Sequence, residues 1–197
     1  MKNIYLIVGP SGSGKSTVAD MLEKKYRLKQ VVSYTERPPR FEGETGHTFV
    51  SAEEFDKLEN LCAFTEFDGY RYGVPASMVD ECDTYVIDPA GVRYMKEHYR
   101  GKKGVKVIGL YAAAEVCKKR MMARGDAKEA VDDRLKFDRT AFAPQSAYAA
   151  LENPKRPELV GLTECCDVVF RDNFVTVEEM PSLAEMMYEY IKRQERV

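Results

Sequence analysis

Between the apolar run Ile4-Tyr5-Leu6-Ile7-Val8 and a segment of helical periodicity lies Gly9-Pro10-Ser11-Gly12-Ser13-Gly14-Lys15-Ser16. The stretch fits G-x-x-x-x-G-K-[ST] and has the context that pattern requires, a strand before it and a helix after it. Ile4 to Val8 has the length and character of a buried parallel strand, and from Thr17 to Tyr26 the residues Val18, Met21, Leu22 and Lys25-Tyr26 recur at helical spacing. Glycines let such a backbone curl until successive N–H groups point inward at phosphate oxygens. The following helix presents its positive end to the same anion. Gly9, Ser11, Gly12, Ser13, Gly14, Lys15, Ser16 and Thr17 are therefore the expected ATP-binding set. Lys15 is placed to reach the β- and γ-phosphates, and Ser16 to give its hydroxyl to Mg²⁺.

Outward from this loop the chain alternates strands and helices. Val31-Val32-Ser33 predicts a second strand, Tyr85 to Asp88 a strand ending in a carboxylate, Val105 to Tyr111 another and Asp167 to Phe170 a last one. Helices are predicted over 89–99, 114–124, 128–142 and 177–193, with a proline-containing loop over 153–163. The alternation implies a P-loop three-layer α/β/α fold with a mostly parallel central sheet. Residues 34–80 break the rhythm and are expected to form an inserted, mixed α/β lobe within one domain over 1–197. In that lobe Ser51-Ala52-Glu53-Glu54 is a capping-box pattern, and the aromatics from Phe64 to Tyr72, interrupted at Asp68-Gly69, predict a hairpin.

Composition narrows the function classes. Of the 197 residues, 30 are Lys or Arg and 32 Asp or Glu, a net charge of −2, which argues against a generally basic nucleic-acid module. A hydrophobic fraction of 44% supports a buried core. No apolar run approaches the ~20 residues of a membrane span, and the cytoplasm is the expected compartment. The five cysteines show no disulfide or zinc spacing, and His47 and His98 stand apart.

The residues after the second strand carry a more specific pattern. Ser33-Tyr34-Thr35-Glu36-Arg37-Pro38-Pro39-Arg40 resembles the S-x-T-x-R-x-x-R segment of guanylate kinases. It is followed, as in that family, by Gly43-Glu44, Phe49-Val50-Ser51, Glu54-Phe55 and Tyr72-Gly73, then Ile87-Asp88 with Gly91-Val92, and Arg120, Arg124-Gly125 and Arg134-Leu135. Arg37 and Arg40 sit three apart in a proline-stiffened loop, and guanidinium forks suit bidentate phosphate binding. The resemblance implies a monophosphate site of Ser33, Arg37, Arg40, His47, Glu66, Tyr72 and Asp88, with carboxylates reading the guanine edge. Three positions depart from the family pattern. His47 stands where a tyrosine is usual, Val74-Pro75 where Ser-Thr is usual, and Ala63 where strict alignment places the usual glutamate, Glu66 lying nearer Tyr72.

The resemblance further implies that the segment over about 120–142 is a helical lid, with Arg124 and Arg134 joining Lys15 and Arg37 as catalytic groups and Arg124 also meeting ATP. Arg139, like Asp132, Asp133 and Asp138, is read as ordinary helix-surface charge. The implied activity is transfer of the ATP γ-phosphoryl group to GMP or dGMP with Mg²⁺, a step of purine nucleotide metabolism. Nucleic acid and membrane are not implied partners, and monomer and homodimer both stay open. Alternatives are a related kinase with another nucleotide or a sugar phosphate as acceptor, and a non-catalytic binding module of the same fold.

Overall fold

The structure is a computed structural model describing residues 1–39, 42–44, 46–67, 69–144, 157–172 and 180–196. Its main sheet has four parallel strands in the order β6-β1-β7-β8, where β1 is Asn3–Val8, β6 Thr84–Val86, β7 Gly104–Ala112 and β8 Val168–Asp172. Ile7 pairs with Val86 on one side and Ile108 on the other. Strand β1 is sealed on both faces, so an unbroken apolar run replaces the alternation of a half-exposed strand. Its even residues, Ile4, Leu6 and Val8, pack with Val92 and Met95 of helix α4 (Pro89–His98) and with Leu159 and Leu162 of α7 (Pro157–Cys165). Its odd residues, Tyr5 and Ile7, pack with Val18 and Leu22 of α1 (Lys15–Tyr26) and with Leu183 and Met187 of α8 (Met180–Gln194). The result is the three-layer α/β/α fold.

A second four-stranded sheet, in the order β3-β2-β5-β4, is built from β2 (Ser33–Thr35), β3 (His47–Phe49), β4 (Leu61–Phe67) and β5 (Tyr70–Pro75). Strands β2 and β3 run parallel, while β5 is antiparallel to both β2 and β4. Helix α2 (Ala52–Phe55) carries both bonds of its capping box, between Ser51 and Glu54, and α3 (Ala76–Glu81) leads back to β6. After β7 come α5 (Ala114–Ala123) and α6 (Lys128–Ala141), an arm beside the phosphate loop.

Three sequence expectations shift. The second strand is not Val31–Ser33 but Ser33–Thr35, in the smaller sheet; Val31 N–H is spent on Thr84 O at 2.8 Å, tying the chain to β6 before it leaves. The loop expected over 153–163 is helical from Pro157, because a proline at the first helical position has no N–H to waste; residues 153–156 lie outside the described part. The strand expected to reach Asp88 stops at Val86, and the Asp88 carboxylate instead caps α4, accepting from Gly91 N at 2.7 Å. The last helix starts at Met180, with 177–179 outside the described residues. Cys62, Cys82 and Cys117 are buried thiols outside any disulfide. No described helix is long and apolar enough to cross a membrane.

Candidate functional site

The loop from Gly9 to Ser16 is shaped by close backbone approach. A Cβ on Gly9 would lie 2.1 Å from Leu110 O, and one on Gly12 2.7 Å from Cys117 O, so neither position tolerates a side chain. Gly12 and Gly14 have φ of 76° and 98°, the left-handed region that glycine adopts without strain. Helix α1 then starts at Lys15 with no side-chain cap and no acid in its first turn, which leaves its N–H groups open to an anion. Lys15 curls back over the loop, donating to Gly9 O at 2.7 Å and Pro10 O at 2.9 Å. Loss of water around its ammonium pushes the pKa down to about 8, against an opposing pull from Asp138. The Ser13 hydroxyl is fully buried and makes no hydrogen bond among the described residues.

The smaller sheet supplies the facing wall. Ser33 and His47 are register partners on β2 and β3, and Ser33 Oγ lies 2.8 Å from His47 Nδ1. The His47 ring meets Tyr72 edge-on at 5.4 Å between centroids. Tyr72 OH in turn accepts from Arg37 Nε at 3.2 Å. Arg37 is buried, lies over the Phe49 ring and is held by a fork from Glu44 at 2.8 and 3.2 Å; that carboxylate contact keeps the guanidinium pKa raised. Ser33, Arg37, His47 and Tyr72 thus form one connected cluster. Arg40 lies outside the described residues.

The two walls enclose a cleft of about 330 Å³, with Gly9, Ser11 and Lys15 on one side and Ser33, His47 and Tyr72 on the other. Asp88 lines it too, with one carboxylate oxygen spent on the α4 cap. Glu66, expected to read the acceptor, is exposed and absent from the lining. Register explains the miss. Ala63, Phe64 and Thr65 line the cleft, whereas Glu66 pairs with Arg71, whose guanidinium is bound to Glu36 and Asp56 outside the lining. Val74 is fully buried in the core rather than presented to a ligand.

The arm bears on the loop by an unexpected residue. Arg124 and Arg134, expected to meet the transferred phosphoryl group, both bind the Asp126 carboxylate, at 2.6 and 2.8 Å, and neither lines the cleft. Arg120 Nη1 does reach the loop, 3.5 Å from Ser13 O. Asp132 takes the surface role expected of it, pairing with Lys118. Asp138 does not. It is only 6% exposed, and its carboxylate accepts from Ser11 N at 2.8 Å and from Ser11 Oγ at 3.3 Å. The signal for it was helical spacing: Val131, Leu135, Asp138 and Phe142 fall on one stripe of α6, where Val131 and Phe142 are buried, so a carboxylate there faces inward.

Comparison with known proteins agrees with this architecture. A profile of the AAA domain matches residues 6–137. The guanylate kinase of Polaromonas sp. JS666 is 31% identical, the alignment covering 72% of this chain and 74% of that one. That of Bordetella pertussis is also 31% identical, with 85% and 82% covered. Among solved structures, guanylate kinase from Anaplasma phagocytophilum superposes with a TM-score of 0.56 at 21% identity, covering 98% of this chain and 85% of that one, a likeness of fold. With the phosphate loop, the flanking sheet and the sequence likeness all in agreement, the chain belongs to the guanylate kinase family of P-loop nucleotide kinases.

Proposed function

We propose that the protein transfers the γ-phosphoryl group of ATP to a nucleoside monophosphate, GMP or dGMP, giving ADP and the diphosphate. The observation that carries this is the meeting of Lys15 with Ser33, His47 and Tyr72 across a single cleft. The loop N–H groups and Lys15 hold the triphosphate. Ser33, His47 and Tyr72 hold the acceptor phosphate, with Arg37, which bonds to Tyr72 from outside the cleft lining, and Arg40 as further proposed ligands. An acceptor phosphate oxygen attacks the γ-phosphorus, the bond to the bridging oxygen of ADP breaks, and no protein nucleophile is needed. Charge on the moving group is met by Lys15 and, once the arm closes and Asp126 releases them, by Arg124 and Arg134.

Mg²⁺ suits this donor set. Ser16 offers an exposed hydroxyl at the start of α1, and the described residues hold no cluster of three or more His, Cys, Asp or Glu that would capture an ion without the nucleotide. When bound, the ion neutralises charge on the β- and γ-phosphates.

A second reading, transfer to another nucleotide or to a sugar phosphate, is favoured by Ala63 on the cleft wall with Glu66 turned away from it. A coupled ADP-release assay over GMP, dGMP, AMP, CMP, UMP and sugar phosphates separates the two. The proposal expects GMP and dGMP to be the fastest acceptors. Equal turnover of AMP, or faster turnover of a sugar phosphate, selects the second reading, and binding without turnover of any acceptor defeats both.

A further inference from the structure

Asp138 occupies a place that the donor also needs. Its Oδ2 accepts from the Ser11 backbone N–H and its Oδ1 from the Ser11 hydroxyl, so two planar oxygens engage the loop as one edge of a phosphate does. Lys15 and Arg134 both attract this carboxylate, while burial pushes its pKa up. Hiding a carboxylate at 6% exposure is costly, and here the loop supplies the compensation. An incoming triphosphate brings more negative charge to the same N–H group and the same lysine, and two anions cannot share them. Asp138 projects from α6, so a shift of that helix carries the carboxylate off the loop.

Resting on the donor-site reading above, we propose that Asp138 is a built-in anion that holds the phosphate loop in the nucleotide-free protein, and that a polyphosphate must displace it, with α6, in order to bind. This makes Asp138 a determinant of donor selection. A ligand that offers the loop no more than one phosphate gains little over the resident carboxylate, whereas a triphosphate engages the remaining loop N–H groups as well.

The test is calorimetric titration of the full chain, as wild type, Asp138→Asn and Asp138→Ala, with the imido analogue of ATP and separately with inorganic phosphate. Removing the resident anion raises the fraction of loops open to the donor. The analogue is expected to bind about ten-fold more tightly to Asp138→Ala, within the usual range of such couplings. Asp138→Asn falls between, because its amide oxygen still accepts from Ser11 N–H. Inorganic phosphate is expected to gain measurable binding in Asp138→Ala. The chain has no tryptophan, so Phe137→Trp, beside Asp138 on the rim of the cleft, adds a reporter of the arm. Its emission is expected to change on analogue binding, and in the Asp138→Ala background to resemble the bound signal before nucleotide is added. Unchanged or weaker analogue affinity in both variants, with wild type still binding, overturns the proposal alone. Failure of wild type and variants alike to bind the analogue removes the donor-site reading and the proposal with it.

Discussion

The wall from Gly9 to Ser16 takes its proposed anion-binding groups from consecutive residues, whereas the facing wall collects Ser33, His47 and Tyr72 from three strands, with Arg37 on the loop after β2 bonded to Tyr72 from outside the cleft lining. The first depends on local conformation: two left-handed glycines, a turn and the open end of a helix. The second depends on tertiary pairing and on one buried ion pair, Arg37–Glu44, whose side chains are 7% and 8% exposed. A contiguous loop fails as a unit if any backbone requirement is broken, so its residue types are narrowly set. A wall assembled from separate strands can exchange side chains one at a time while the sheet persists. His47 and Ala63 are such exchanges on the cleft wall, whereas Val74 is packed into the core behind it.

The sharpest way to break the comparison is at Arg37. Replacing it by Met leaves Glu44 buried without its guanidinium, which is expected to cost about 3–5 kcal/mol of unfolding free energy in urea melts. The double variant Arg37→Met/Glu44→Leu is expected to recover most of that loss. A single variant within about 1 kcal/mol of wild type would mean that the wall does not rest on this pair. On the loop side, Lys15→Ala is expected to keep the melting transition and lower kcat by about 10²–10³, roughly 2.7–4 kcal/mol in the barrier. Near-normal turnover of a folded variant would sink the donor assignment.

The acceptor wall can be sharpened from within. Ala63→Glu returns a carboxylate to the cleft face of β4, and a hydrogen bond to a charged group contributes about 1.5–3 kcal/mol. The ratio of kcat/KM for GMP over AMP is expected to rise correspondingly, about ten-fold or more, whereas Glu66→Gln should leave that ratio where it was. A response at Glu66 and none at Ala63 would reverse the facing of β4 inferred from its register.

The smallest effect is one of pH. Loss of water around Lys15 pushes its pKa down to about 8, below its ordinary 10.5. Bound phosphates favour the charged form, so nucleotide binding takes up a proton above that pH. Affinity for ATP is therefore highest below about 8 and falls as pH rises, by about ten-fold at pH 9. Titrations in buffers of different ionisation heat would detect the uptake, and a flat profile to pH 9 would contradict the lysine's depressed pKa. Folding has the opposite sign of linkage: the unfolded chain binds the extra proton between about 8 and 10.5, so this residue favours the folded state increasingly as pH rises through that window.

Much of this was legible in the chain itself. The phosphate loop, its strand and its helix are local objects, decided by glycine conformation, apolar run length and helical spacing within a few dozen residues. The alternation of strands and helices led to the layered fold for the same reason, and the capping box at Ser51 announced α2. Three things required the tertiary structure. Ala63 lines the cleft and Glu66 does not, because the register of β4 against β5 seats Glu66 opposite Arg71, one rung from the hairpin turn. Arg124 and Arg134 are as available as the position of Asp126 allows, a matter of how α5 and α6 are joined. Asp138 lay among surface-like charges in the sequence; only the packing of α6 over the loop between β1 and α1, more than a hundred residues away, turned it into a buried partner of Ser11. Short-range physics chose the elements and the loop, while long-range pairing chose which side chains the cleft sees.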